Sequence, residues 1–240
     1  MLIQLQEQAR FREVAQARFT AAMELDDPWE QFYARVGLLP GPGLRESDPS
    51  RSIAQSEENL RLGREVGNPS MLAYATMLLA RLIAPSDPIR AEALLEEAIG
   101  IADAMRNDLA GSTARMNLGR ARAARGEHLQ AAKAHLSAAE LASQVGDLFN
   151  VFPLLGALAC DLAELGDHEP ALVLATWAAS RGHWPEGVSV GLSGQIRLVR
   201  SRLRDVIPPI RRQELEDRAE AMDDAEAIAL ARASLEALSR

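Results

Sequence analysis

A chain that resembles itself at a fixed shift has few folds open to it, and here the shift is forty residues: Leu78, Leu118 and Leu158 fall together, and so do Leu79, Gly119 and Ala159. Ala91, Ala131 and Ala171 form a third set, and Ala98, Ala138 and Ala178 a fourth. The turns ahead of the second segment read Ser86-Asp87-Pro88, Gly126-Glu127-His128 and Gly166-Asp167-His168. Self-similarity at such a period marks a stack of like units, each too small to bury its own apolar face. Every unit holds two segments with leucines and alanines three and four apart, which lines one face of a helix. The unit is therefore a helix pair. Its alanines have a physical purpose, because helices approach closely only where neither carries bulk at the crossing.

Composition narrows the class further. Hydrophobic residues make up 48% of the 240 and charged residues 25%, as in an ordinary folded protein, while aromatics are only 4%. Alanine and leucine fill that shortfall, which suits helix-on-helix cores. No run alternates with period two for long enough to argue a sheet. A net charge of −8 argues against a general nucleic-acid surface. The single cysteine, Cys160, has no partner for an internal disulfide and fits a reducing compartment. The beginning of the chain lacks a basic, apolar signal segment, and no eighteen-residue apolar run is present to span a membrane. The expected location is cytoplasmic, with no membrane and no nucleic acid among the partners.

In chain order, Leu2–Asp26 reads as one amphipathic helix with Phe11, Val14, Ala15, Phe19, Ala22 and Leu25 on one face. It looks like the second helix of a pair that lacks its first. Its apolar face is then covered by a preceding part of a longer protein, by a partner such as a second copy in a homodimer, or by its own packing as a cap. Asp27-Pro28-Trp29-Glu30 is a helix start, with a capping carboxylate and a proline where no N–H is needed. Trp29, Phe32, Tyr33 and Val36 make a short apolar face. Residues 37–50 carry Pro40, Gly41, Pro42, Gly43 and Pro49 and read as a loop. Helix pairs follow up to Arg181. Residues 182–194, with Pro185, Gly187, Gly191 and Gly194, break the rhythm as a linker. Residues 195–240 then form three helices off the repeat, the last capped by Asp223 and Glu226. The expected organisation is thus 1–181 as helical repeats, 182–194 as linker and 195–240 as a helical cap.

Chemistry-bearing patterns are sparse. His128 and His135 lie seven apart on one helix, too far for one metal without a third ligand between them, and His183 sits beside Trp184 in the linker. No Cys/His or His/Glu spacing matches a metal site. No Gly-x-Ser-x-Gly elbow is present. Neighbouring carboxylates such as Glu96 and Glu97 point different ways on a helix. Cys160 reads as a small packed residue. The expectation is no catalytic residue, no metal and no cofactor. Gln195–Arg212 carries six arginines, Arg197, Arg200, Arg202, Arg204, Arg211 and Arg212, against one acid, and Glu214–Glu226 carries seven acids against one arginine. The basic run lacks the interleaved aromatics of a nucleic-acid track, and pairing of charges between neighbouring helices is expected instead.

The Leu118-Gly119 pair, the Gly126 turn, and Ala131 with Ala138 resemble the tetratricopeptide repeat. The early Trp of that pattern is replaced by Ala75, Arg115 and Leu155, and its helix-A aromatic by Leu82, Arg122 and Leu162. Its helix-B aromatic is replaced by Leu95, His135 and Ala175, and the period is forty rather than about thirty-four. The fold this implies is all-α, a right-handed superhelical solenoid of antiparallel helix pairs ending in a non-repeating helical cap. The concave face would be lined by Ala73, Thr76 and Ala80, by Thr113, Met116 and Arg120, and by Gly156, Cys160 and Glu164. Of these, Thr76, Thr113, Met116, Arg120 and Glu164 are the binding candidates, with Arg120 as a fork for a carboxylate or phosphate. Residues 50–240, with their Val-Gly-Asp and Leu-Gly-Asp turns and the Asp223-Asp224-Ala225-Glu226 cap, also resemble the C-terminal half of bacterial ATPase-containing regulators of the LuxR-type and adenylate-cyclase-associated kinds. That resemblance implies a non-catalytic interaction module in signalling or transcription regulation, contacting a protein or peptide, with an upstream ATPase module as one candidate partner. The alternative is a small-molecule sensor with its ligand in the concave groove.

Overall fold

A computed structural model describes residues 2–25, 27–38, 49–181 and 190–240; of 2–9, 11, 12, 37, 38 and 190 only the backbone is described. Twelve helices and no strand occur among the described residues. They are α1 (Leu2–Glu24), α2 (Pro28–Leu38), α3 (Pro49–Val66), α4 (Pro69–Ile83), α5 (Pro88–Ala104), α6 (Asp108–Ala124), α7 (His128–Gln144), α8 (Leu148–Glu164), α9 (His168–Arg181), α10 (Val190–Val206), α11 (Pro209–Ala221) and α12 (Asp224–Leu238). No described helix is long and apolar enough to cross a membrane. Most of the expected loop at 37–50 and of the linker at 182–194, with His183 and Trp184, lies outside the described residues. The flanking helices reach into both spans, α2 to Leu38 and α10 from Val190.

Helices α5 to α9 start at 88, 108, 128, 148 and 168, an even step of twenty. The turns share one backbone device. Gly126, Gly146 and Gly166 have φ of 78°, 72° and 82°, the left-handed region in which glycine bears no Cβ penalty. One step earlier Arg106 adopts the same conformation at φ 52°, a non-glycine residue in the glycine's place. Each turn then donates back to the helix it leaves, as from the Glu127 N–H to the Arg122 carbonyl at 3.0 Å.

The chain divides into two compact units, residues 1–101 and 102–240. The tail 195–240 therefore shares a core with the helices from α6 onward and does not stand apart from them. In the first unit α1 packs on α2, α2 on α3, and α3 on α4. Phe32, Leu60, Met71, Leu79 and Leu95 are buried there. Gly63 lets α3 approach the α4 backbone, since a Cβ there would stand 3.3 Å from the Leu72 Cα. Asn68 caps α4 by accepting from the Ser70 and Met71 amides at 3.0 and 3.2 Å. The α1 face is narrower than its sequence pattern. Ala15 and Ala22 are buried, but Val14 and Leu25 are 61% and 54% exposed, because among the described helices α1 packs chiefly on α2.

In the second unit α6 packs on α7, α7 on α8 and α8 on α9; α10 lies on α8 and α9, α11 on α9, and α12 across α7, α8 and α9. Ala131, Ala138, Ala171 and Ala178 are wholly buried at the crossings. The tail is anchored on Trp177, whose Nε1 donates to the Met222 carbonyl at 3.3 Å. Arg181 stacks 5.1 Å from the Trp177 ring centroid and donates to the last carbonyls of α11, including that of Met222. Asp223 and Glu226 form the reciprocal cap of α12 that their spacing predicts, at 2.8 and 2.9 Å.

Candidate functional sites

The expected concave-face residues do not behave as one set. Thr76, on α4 in the first unit, is fully buried, and its hydroxyl donates to the Leu72 carbonyl at 2.6 Å, so it is a core residue. Thr113, Met116 and Arg120 lie three and four apart on α6, in the second unit. Thr113 donates to the Leu109 carbonyl at 2.9 Å, Met116 packs half-buried against the core, and Arg120 is exposed. Glu164 on α8 is already taken up by Arg202 of α10, at 2.9 Å. One turn and two turns before it on α8, Cys160 is half-buried and Gly156 is buried. A Cβ at Gly156 would stand 2.5 Å from Ile196 Cδ1 of α10. The chain's own tenth helix therefore occupies the strip that the repeat pattern assigned to a ligand. Burial first, with Asp161 and Glu164 adding, pushes the Cys160 thiol up to about 12, so it is a poor nucleophile at neutral pH.

A cluster that the sequence hid lies between α7 and α8. Asp161, with 3% of its side chain exposed, accepts from two imidazoles. Its Oδ1 is 3.0 Å from His128 Nδ1 and its Oδ2 is 2.8 Å from His135 Nδ1. A carboxylate only accepts, so each ring presents its Nδ1–H. The seven-residue separation of the two histidines places them two turns apart on one face of α7, and a carboxylate from the next helix bridges the gap. His135 is buried, and its Nε2 has no hydrogen-bond partner. Gly119 of α6 makes room for that ring, since a Cβ there would lie 2.5 Å from it. The Leu-Gly pair of the repeat thus serves His135 in this unit. With both Nδ1 atoms committed to Asp161, the cluster is a clamp between helices. Among the described residues no group of three or more His, Cys, Asp or Glu is arranged to hold a metal ion.

The first unit exposes a different surface. Trp29 and Tyr33 of α2 and Tyr74 of α4 are 40%, 36% and 41% exposed around the buried Phe32. Ring centroids are 5.0 Å apart for Trp29–Tyr33, 5.3 Å for Phe32–Tyr33 and 6.5 Å for Phe32–Tyr74. The chain has three Trp, two Tyr and five Phe, so four of its ten aromatics gather here, both tyrosines among them. The sequence marked α2 as apolar but gave no sign that Tyr74, some forty residues on, joins it. The α2 start works as its residues predict, with Asp27 accepting from the Trp29 amide at 2.8 Å, while Glu30 turns instead to Arg18 at 3.2 Å.

No protein-family model matches the chain, and a search of the curated proteins finds no relative.

Proposed function

We propose that this chain is a non-catalytic binding module that engages a peptide segment of a partner protein, in a bacterial signalling or transcription-regulating setting. The observation that carries the reading is the Trp29–Tyr33–Tyr74 surface. Tyrosine and tryptophan supply large, rigid contact area and a polar handle at little entropic cost, and they dominate the binding energy of protein interfaces. A chain so poor in aromatics that nonetheless places three on one surface has them available for contact. The even twenty-residue helix step and the glycine turns support the finer reading of the helix pairs as tetratricopeptide-like, and a right-handed superhelical stack is what that reading implies.

Selection from a displayed random-peptide library tests this. A consensus peptide should emerge, and Tyr33→Ala and Tyr74→Ala should each weaken its binding by about 2 kcal/mol, roughly thirtyfold, with helicity unchanged. If no consensus emerges, or the alanine variants bind it as well as the unsubstituted chain does, the reading is wrong. A small ligand gripped at Arg120 has less support, because Met116 is packed into the core and Glu164 is engaged by Arg202.

A further inference from the structure

The arginine-rich stretch of α10 and α11 is only partly neutralised by its neighbours. Arg202 pairs with Glu164 at 2.9 Å, Arg204 with Glu216 at 2.9 Å, and Arg211 with Glu169 and Glu214 at 2.7 and 2.8 Å. Those three follow the pairing that the charge pattern predicts. Arg197, Arg200 and Arg212 form no ion pair within the described residues. Arg197, Arg200 and Arg204 stand at i, i+3 and i+7, and so share one side of α10. Arg212 reaches them from α11, its guanidinium donating to the Arg204 carbonyl at 2.9 Å. Glu216 is the carboxylate set among these guanidiniums, and Arg204 already holds it.

Arg200 shows what this crowding costs. It is half-buried, and its Nε is enclosed with no hydrogen-bond partner. Burial first, then repulsion from Arg204, pulls its pKa below the ordinary arginine value, and Glu216 offsets this only in part. A cation so placed gains from a further anion beside it, and a planar guanidinium fork suits a carboxylate. The rest of the chain makes the signal local. The molecule as a whole carries −8, so a cluster of arginines short of carboxylates stands out against an acidic background.

We propose that the α10–α11 side bearing Arg197, Arg200 and Arg212 docks an acidic segment of a partner protein. The occupant is extended chain rich in Asp and Glu, whose carboxylates complete the pairing that the fold leaves open. This docking side belongs to residues 102–240, whereas the aromatic surface belongs to residues 1–101, and each is tested by its own ligand.

The experiment is fluorescence anisotropy of the full chain with a labelled oligoglutamate peptide, and with an oligoglutamine peptide of the same length. Glutamate should bind, more weakly as salt rises, and glutamine should not. Arg197→Glu should weaken glutamate binding on the order of tenfold or more without changing the circular-dichroism melt, and Arg212→Glu should weaken it by as much. Arg232→Ala should leave binding unchanged, since Arg232 is an exposed arginine held by Glu140 of α7 at 2.7 Å. Absence of glutamate binding overturns the proposal. So does equal binding of the glutamine peptide, equal weakening by Arg232→Ala, or tighter binding of a single-stranded oligonucleotide at the same arginines.

Discussion

Removing the Asp161 carboxylate should destabilise the second unit by more than any single surface change. The magnitude follows from the two bonds it accepts. The His128 bond, 3.0 Å long with that side chain 26% exposed, is one that water replaces, and its loss costs about 0.5 kcal/mol. The His135 bond is 2.8 Å long and buried. Its loss strands an imidazole whose Nε2 already lacks a partner, which costs about 1–3 kcal/mol, and the void left by the carboxyl group adds about 1 kcal/mol. Asp161→Ala should therefore cost about 2.5–4.5 kcal/mol, which overlaps the range of about 3–5 found on breaking a buried pair from one side. The double variant His135→Leu/Asp161→Ala gives the informative comparison. Forty positions earlier the same places are held by Leu95 and Ala121, both buried. Replacing both members with apolar residues removes the orphaned group along with its partner, so the double variant should recover to within about 1 kcal/mol of the unsubstituted chain. Urea unfolding followed by circular dichroism, with unchanged m-values, measures all four corners of the cycle. An Asp161→Ala cost below about 1 kcal/mol, or single costs that simply add, would refute the clamp.

Three smaller changes probe the same framework. Gly119→Ala puts a methyl 2.5 Å from the His135 ring and should cost about 1–3 kcal/mol in thermal or urea melts, whereas Gly100→Ala, with nothing within 4 Å, should be neutral or stabilising. Arg106→Gly relieves a left-handed residue that the later turns give to glycine, and should raise stability by about 0.5–1 kcal/mol; a loss would show that the Arg106 side chain matters more than its backbone. Cys160, with its thiol pushed up to about 12, is protonated at neutral pH, so iodoacetamide should label it much more slowly in the folded chain than in urea, and folded-state labelling should keep rising above pH 9.

What the sequence makes legible is local. Alanines at a fixed step, the Gly of the turns at 126, 146 and 166 and an Asp–Glu cap each act through neighbours a few residues away, so they could be read without knowing how helices pack. The clamp could not. His135 and Asp161 are twenty-six residues apart and meet only because α7 and α8 run back along one another in one register. The same holds for Tyr74 beside Phe32, and for Glu164, which looked like an open groove position until α10 folded onto it. The charge-rich tail was read half correctly, since charge pattern alone cannot say which arginines find a carboxylate within reach. Val14 on α1 and Leu25 just past its end show the converse, apolar periodicity left largely exposed within the described residues.

The even step of the helix starts from α5 to α9 makes helix-plus-turn length a constraint in its own right. In the second unit α7 is gripped from two sides, by α6 and by α8, and α8 likewise by α7 and α9. One residue inserted mid-helix would turn everything after it by about 100° and swing the buried alanines out of their crossings. Single insertions within α7 or α8 should therefore be among the most damaging changes to this chain, since they displace every buried contact that follows in the helix.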